Sequence, residues 1–308
     1  MLVVLTGGTG GAKLIEGLAA EMDPAQLTII CNTGDDCVFH GLHVSPDIDT
    51  ITYTLAGLID EEKGWGVSDD TFAVLGQLRR LGNDTWFTLG DKDLAMHITR
   101  TRLMAEGFTL SQVTERLRTI LGVKAKIIPM SDSRVETRVV TSEGEISFQE
   151  YFVKERWSRE VEAVHFTGAE QSTPAPGVLE AIRQSTAVVI APSNPVTSIG
   201  PILAVPGIRQ ALQYSVVNVV AVSPIIGSAA ISGPAHKLMA VVGLEPSAFG
   251  VASAYGDLLN RFVIDAEDRS LKERIEKLGM RAVVSSIRMT SLADKQRLAM
   301  EVLALTQK

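Results

Sequence analysis

Four times along this chain a short apolar, largely β-branched run breaks off into a turn rich in glycine, proline, asparagine or serine, and a helical pattern follows. Leu2 to Thr6 runs into Gly7-Gly8-Thr9-Gly10-Gly11, and Thr28 to Cys31 into Asn32-Thr33-Gly34-Asp35-Asp36. Ala187 to Ala191 runs into Pro192-Ser193-Asn194-Pro195, and Val216 to Val222 into Ser223-Pro224-Ile225-Ile226-Gly227. Runs that are apolar at every position, not at alternate ones, belong to strands covered on both faces, which is the condition of a parallel sheet. The expected fold is therefore α/β, a doubly wound, mostly parallel Rossmann-like sheet, with Lys13 to Ala20, Pro174 to Gln184 and Ile208 to Gln213 as crossover helices.

Between Ser68 and Tyr151 the pattern changes. Ser68 to Leu81 sets Phe72, Leu75, Leu78 and Leu81 on one helical face with Ser68 or Asp69 as cap, and Asp91 to Glu106 reads as a second helix. Thr109 with Gln112 forms a capping box for a third. Lys126 to Met130, Val135 to Thr141 and Glu145 to Phe152 read as strands, the last two joined into a hairpin by Ser142-Glu143-Gly144. Residues 68–151 are thus expected to be an inserted helical and β-hairpin cap, and residues 1–67 and 152–308 the nucleotide-binding core. Helices around Ser247 to Asn260, Glu267 to Leu278 and Leu292 to Leu305, with short strands at Phe262 to Ile264 and Ala282 to Val284, close that core.

The 308 residues suit one large domain carrying an insertion, or two average ones. A net charge of −7 argues against a protein that coats nucleic acid or an anionic membrane, because counterion release needs clustered Lys and Arg. The opening MLVVLTGGTGG has no basic leader and breaks into glycine after six residues, so it reads as a buried strand and not a signal peptide. The weakly charged stretch from Gln184 to Ala235 is interrupted by Pro192, Pro195, Pro201, Pro206, Pro224 and Pro234, too many breaks for a membrane helix. Cys31 and Cys37 have the spacing of neither a zinc site nor a redox pair. A cytoplasmic location is the expectation.

Glycines between a strand and a helix let backbone amides close on an anion, and the helix dipole favours that anion. The loop matches neither standard fingerprint. A GxxxxGK[ST] loop would need glycine at Ala12 and Ser or Thr at Leu14, and a dinucleotide GxGxxG begun at Gly8 meets Lys13 in its third glycine slot. Phosphate binding is indicated, its owner is not; Lys13 is a further candidate cation, or a solvated first-turn residue. The run from Asn32 to Thr50 carries Asp35, Asp36, Asp47 and Asp49, oxygen ligands suited to Mg²⁺ alongside substrate phosphates, though Asp and Asn also serve turns and caps. Asp49 leads, since Ser45-Pro46-Asp47-Ile48-Asp49-Thr50 stiffens the backbone just before a helix. Leu89-Gly90-Asp91-Lys92-Asp93 places Asp91 as a cap or Lys92 on a phosphate or acceptor. Ser193 and Asn194 can read a base or ribose; Ser131-Asp132 is a weaker candidate. His40, His43, His97, His165 and His236 lack ligand spacing and read as surface or core residues, and no G-x-S-x-G elbow supports acyl transfer.

At these residues the sequence resembles the 2-phospho-L-lactate transferase family of coenzyme F-420 biosynthesis. GGTGGAKL, NTGDD, SPDIDT, Trp65-Gly66 followed by DDTF, LGDKD, PMSD, APSNPVTSIGPIL, AVSPIIG and SGPA occur in that family's order from the first residue to beyond Ala235. The resemblance implies a Mg²⁺-dependent phosphotransferase that moves a 2-phospholactyl or phosphoenolpyruvyl group from a GDP-linked donor to the ribityl hydroxyl of the deazaflavin Fo, releasing GMP, and a homodimer. By position it makes Gly7, Gly8, Thr9 and Gly10 the donor-phosphate cradle and Ser193 and Asn194 nucleotide contacts. Asn32, Thr33, Asp49 and Lys92 fall on the Fo side, Asp49 and Asp36 on the metal, and Asp49 on catalysis. Two other readings compete. A non-catalytic regulator binding nucleotide sugars or dinucleotides could share the glycine loop, but SPDIDT and LGDKD together favour the enzyme. A dehydrogenase is disfavoured by Lys13 and by the lack of a ribose-binding acid.

Overall fold

A computed structural model describes residues 1–215, 217–227, 229–230 (backbone) and 235–307. Val216, and the SGPA stretch apart from Ala235, lie outside them.

Seven parallel strands form the main sheet: β1 (Leu2–Thr6), β2 (Leu27–Cys31), β3 (Lys126–Pro129), β4 (Ala187–Ile190), β5 (Asn218–Val222), β6 (Arg261–Asp265) and β7 (Arg281–Ser285). Their spatial order is β7-β6-β5-β4-β1-β2-β3, every pairing parallel. The period of two along a strand explains why β1 is apolar throughout: Val3 and Leu5 belong to the core on one face, Leu2 and Val4 to the core on the other. Helix α1 (Gly8–Glu21) and the last helix, Leu292–Thr306, share the second core through Leu14, Ile15, Leu18, Leu298 and Val302. From β1 the chain winds outward to β3, then returns to lay β4 against the other side of β1, with Leu5 beside Ile190. The strand order reverses between β1 and β4, and in a doubly wound sheet that crevice is where ligands bind.

The sheet pairing departs from a single insertion over residues 68–151. Lys126–Pro129 is the edge strand β3 of the main sheet, its register setting Ile127 and Ile128 beside Ile29 and Ile30 of β2. Val161–Thr167, in contrast, pairs antiparallel with Glu136–Thr141, which also pairs with Gly144–Ser147, so the expected hairpin carries a third strand. The cap therefore draws on sequence either side of β3.

Helix α2 (Pro46–Leu55) follows β2, and the cap holds α3 (Ala73–Arg80), α4 (Asp91–Ala105) and α5 (Leu110–Ile120). The Thr109–Gln112 capping box is present at α5. Helix α3 starts later than expected and is not capped by Ser68 or Asp69; the Ala73 and Val74 amides donate instead to Asp91. Asp70 returns the arrangement by accepting from the Lys92 and Asp93 amides at the start of α4. Two carboxylates thus cap each other's helices, each placed at the positive end of a dipole. Of the apolar face expected on α3, Leu75 is buried while Phe72 and Leu81 are exposed. Among the described residues no helix is long and apolar enough to cross a membrane.

Candidate active site

A cavity of about 500 Å³ opens at the β1/β4 crevice. Loops from four strand ends reach it: Gly7 to Gly10 after β1, Asp35 after β2, Pro192 to Asn194 after β4 and Pro224 after β5. Asp47 and Asp49 enter from the first turn of α2, and Asp93 and His97 from α4.

Gly8, with φ of +69°, stands in the left-handed region that glycine enters without steric penalty. Its amide donates to Asp47 Oδ1 at 2.7 Å, and the Gly7 amide donates to Ser193 Oγ at 3.2 Å. Ser193 Oγ in turn donates to the Gly7 carbonyl at 2.7 Å, tying the two loops together. Both leading amides are therefore engaged within the protein, and the amides that could meet an anion begin at Thr9, where first-turn amides have no intrahelical partner. The loops also touch closely: a Cβ on Gly10 would lie 2.4 Å from the Pro192 carbonyl oxygen. Gly10→Ala must force two backbone segments apart and is expected to lower stability by about 1–3 kcal/mol, the usual range for overpacking. Urea unfolding checks this, and an unchanged midpoint would show that the loops separate freely.

Asp47 is 7% exposed and accepts from Asn32 Nδ2 at 2.9 Å as well as from Gly8. Burial pushes its carboxyl up to about 6, against the pull of those two bonds, and the charge of Asp36 adds to the rise. Burial likewise raises Asp35, whose Oδ1 is buried with no hydrogen-bond partner. A carboxyl with a raised folded-state pKa binds its proton more tightly in the native chain than in the unfolded one. Its stabilising contribution is thus complete below about pH 4 and lost as pH rises through about 6. Stability of the ligand-free protein should fall across that window, and the slope should flatten in Asp47→Asn; an identical slope in the variant would remove Asp47 as its source.

Asp49 is 5% exposed and forms a two-pronged ion pair with Arg100, itself 1% exposed. His97 Nδ1 stands 3.3 Å from Arg100 Nη1 and 3.7 Å from Asp49 Oδ2, while its Nε2 is 3.3 Å from Asp93 Oδ2. Tyr53 completes the chain by donating to Asp93 Oδ1 at 2.6 Å. Burial acts to raise Asp93, but the His97 and Tyr53 contacts outweigh it and hold the carboxyl below its ordinary value. Residues 93, 97 and 100 recur at helical spacing on α4, and Asp49 and Tyr53 sit one turn apart on α2.

Of the residues expected at the site, Gly7, Gly8, Thr9, Gly10, Asp49, Ser193 and Asn194 line the one cavity. Asn32 lies behind it, clamping Asp47, and Thr33 and Lys13 are likewise not among the lining residues. Asp36 faces His43 at 3.1 Å and Ser45 at 2.7 Å instead of the cavity. Lys92 is exposed and tied back, its Nζ donating to the Ser68 carbonyl at 2.8 Å. Asp132 serves structure by accepting from the amide and hydroxyl of Ser111. Both cysteines are free. Arg100, Tyr53 and Lys63 lie outside every motif read in the sequence; Asp93 lies within LGDKD but is not singled out there, and His97, read as a surface or core residue, is buried beside them.

No cluster of three or more His, Cys, Asp or Glu able to hold a metal occurs among the described residues. Magnesium does not require one, since one or two carboxylates plus substrate phosphates and water suffice. Asp35, with an unpartnered buried oxygen, and Asp47 fit that pattern; Asp49 already spends its charge on Arg100.

The family model described as "2-phospho-L-lactate transferase CofD" matches residues 2–302. A Streptomyces griseus protein named phosphoenolpyruvate transferase is 47% identical, the match covering 99% of this chain and 98% of that one. A Methanosarcina mazei protein named 2-phospho-L-lactate transferase is 40% identical over 97% and 98% of the two chains. Among solved structures, a UPF0052-family protein of Bacillus halodurans superposes with a TM-score of 0.65 over 98% of both chains at 17% identity, a likeness of fold alone. Sheet order, shared cavity and full-length similarity converge, and the chain belongs to the 2-phospho-L-lactate transferase CofD family.

Proposed function

We propose that the protein is a Mg²⁺-dependent transferase that joins the phosphorylated three-carbon acid of a GDP-linked donor to the ribityl hydroxyl of Fo and releases GMP. The observation that carries this reading is the convergence of Gly8, Asp49 and Asn194 on a single cavity. The names of the relatives support the reaction class, and the transferases among them count against a non-catalytic regulator. Homodimeric assembly in the cytoplasm belongs to the same proposal.

In this reaction the acceptor oxygen forms a bond to phosphorus as the anhydride bond breaks; GMP leaves with the bridging oxygen, and the hydroxyl proton passes to a base. Protein groups need do little covalent chemistry, so alignment and charge stabilisation dominate. The first-turn amides of α1 would hold the donor phosphates, while Ser193 and Asn194 shape the nucleotide side. Tyr53, Trp65, Phe87, Phe148 and Phe152 line the cavity and offer apolar faces to a flat polycyclic acceptor. Asp49, fixed by Arg100, would orient the acceptor hydroxyl or take its proton. Asp35 and Asp47 would hold the Mg²⁺, whose contribution when bound would be charge neutralisation at the donor phosphates.

A product assay tests the proposal: the protein, Mg²⁺, Fo and either the lactyl- or the enolpyruvyl-diphosphoguanosine donor, with GMP release followed and the deazaflavin product weighed by mass spectrometry. Release of GMP with a matching mass gain supports the reading and identifies the acid. Binding of both substrates with no GMP formed overturns it in favour of a regulator.

A further inference from the structure

The cavity has an imbalance of charge. Asp35, Asp47, Asp49 and Asp93 line it; Arg100, behind the wall, offsets Asp49 alone, and Lys63 is the one lysine or arginine among the described lining residues. The glycine turn cannot offset this alone, because the Gly7 and Gly8 amides are already bonded to Ser193 and Asp47. Lys63 sits in a compact loop between α2 and α3. An Ile59–Val67 bridge closes its base, the Ser68 amide donates to Leu58 O at 2.8 Å, and Gly64 and Gly66 turn the tip at φ of +74° and +73°. That tip leans on the phosphate turn: a Cβ on Gly64 would lie 3.7 Å from Thr9 Cβ. The ammonium is held by Asp60 Oδ2 at 2.5 Å, while Asp60 Oδ1 accepts from the Glu62 and Lys63 amides at 3.1 Å each. With 46% of its side chain exposed, Lys63 is free to exchange one anion for another.

We infer that Lys63 is a diphosphate-binding residue, kept over the cavity by Asp60 until the donor's phosphates displace that carboxylate. The inference rests on the donor reading above and adds a residue and an exchange to it. An exposed lysine–carboxylate pair is worth little in water, so a diphosphate bearing more charge, seated on helix amides, competes well for the ammonium. Asp60 then keeps its two amide bonds, so the loop stays folded while its lysine changes partner.

Calorimetric titration of the full chain with GDP, guanosine and inorganic pyrophosphate in Mg²⁺ buffer tests this. K63Q should weaken GDP binding by about 10- to 100-fold, the worth of a charge-assisted bond, and leave guanosine unchanged. K63R should stay within about threefold of the wild type, since charge and reach persist. Asp60→Asn preserves the acceptor for the two amides but removes the competing charge, so GDP should bind at least as tightly as in the wild type. Equal GDP affinity in K63Q and wild type overturns the inference, as does an equal loss for guanosine, which would mean that the loop only shapes the pocket. A loss in D60N as large as in K63Q overturns the exchange. Should the wild type ignore GDP yet bind pyrophosphate through Lys63, the residue's assignment stands and the guanosine donor falls; binding of neither overturns both.

Discussion

Arg100→Met is expected to lower the unfolding free energy by about 3–5 kcal/mol, the range for removing one partner of a buried ion pair. The guanidinium is nearly inaccessible and donates twice to Asp49, with a further contact to the His43 carbonyl at 3.4 Å. Its charge is held on so firmly by Asp49 that burial fails to lower its proton affinity. Methionine fills much of the volume but leaves Asp49 as an uncompensated buried carboxylate, with Asp36 and Asp93 nearby. The loss therefore comes from the stranded charge more than from a cavity. Equilibrium urea unfolding at neutral pH measures it, and a difference below about 1 kcal/mol would show that water or a rearranged side chain solvates Asp49, as it does for exposed pairs.

The inner strands β1, β2, β4 and β5 were legible because they are buried on both faces, so their apolar runs needed no knowledge of neighbours, whereas the place of edge strand β3 beside β2 was not. The Thr109–Gln112 box and the glycine turn between β1 and α1 were legible too, since their signals lie within a few residues. The partner of Val161–Thr167 was not legible, since its alternation suits a half-covered antiparallel strand but names no neighbour. The Asp70–Asp91 exchange was also hidden: each carboxylate caps a helix some twenty residues away in sequence, where spacing rules have no reach. Asp93, His97 and Arg100 fall on one face of α4, a pattern present in the sequence. Only the packing of α4 beside the Asp47 to Tyr53 turn of α2 gives that face its partners. Lys92, which its motif suggests as a ligand contact, is exposed, with its Nζ on the Ser68 carbonyl and its amide on Asp70.

Asp49→Asn should reduce kcat by about 10²-fold or more if the carboxylate orients the acceptor hydroxyl or takes its proton. The single variant is ambiguous by itself, because a neutral amide also strands the buried Arg100 cation. Pairing it with Arg100→Met separates the two effects. The double variant has no unpaired charge at this position, and neighbouring substitutions of this kind are strongly non-additive. Its unfolding free energy should therefore recover much of what either single change loses. If Asp49 acts on the acceptor, kcat of the double variant stays about 10²-fold down despite that recovery, since no group at position 49 can accept a full proton. Were turnover to return along with stability, Asp49 would be a counter-ion to Arg100 and nothing more, and the proton acceptor would have to be sought elsewhere on the cavity wall.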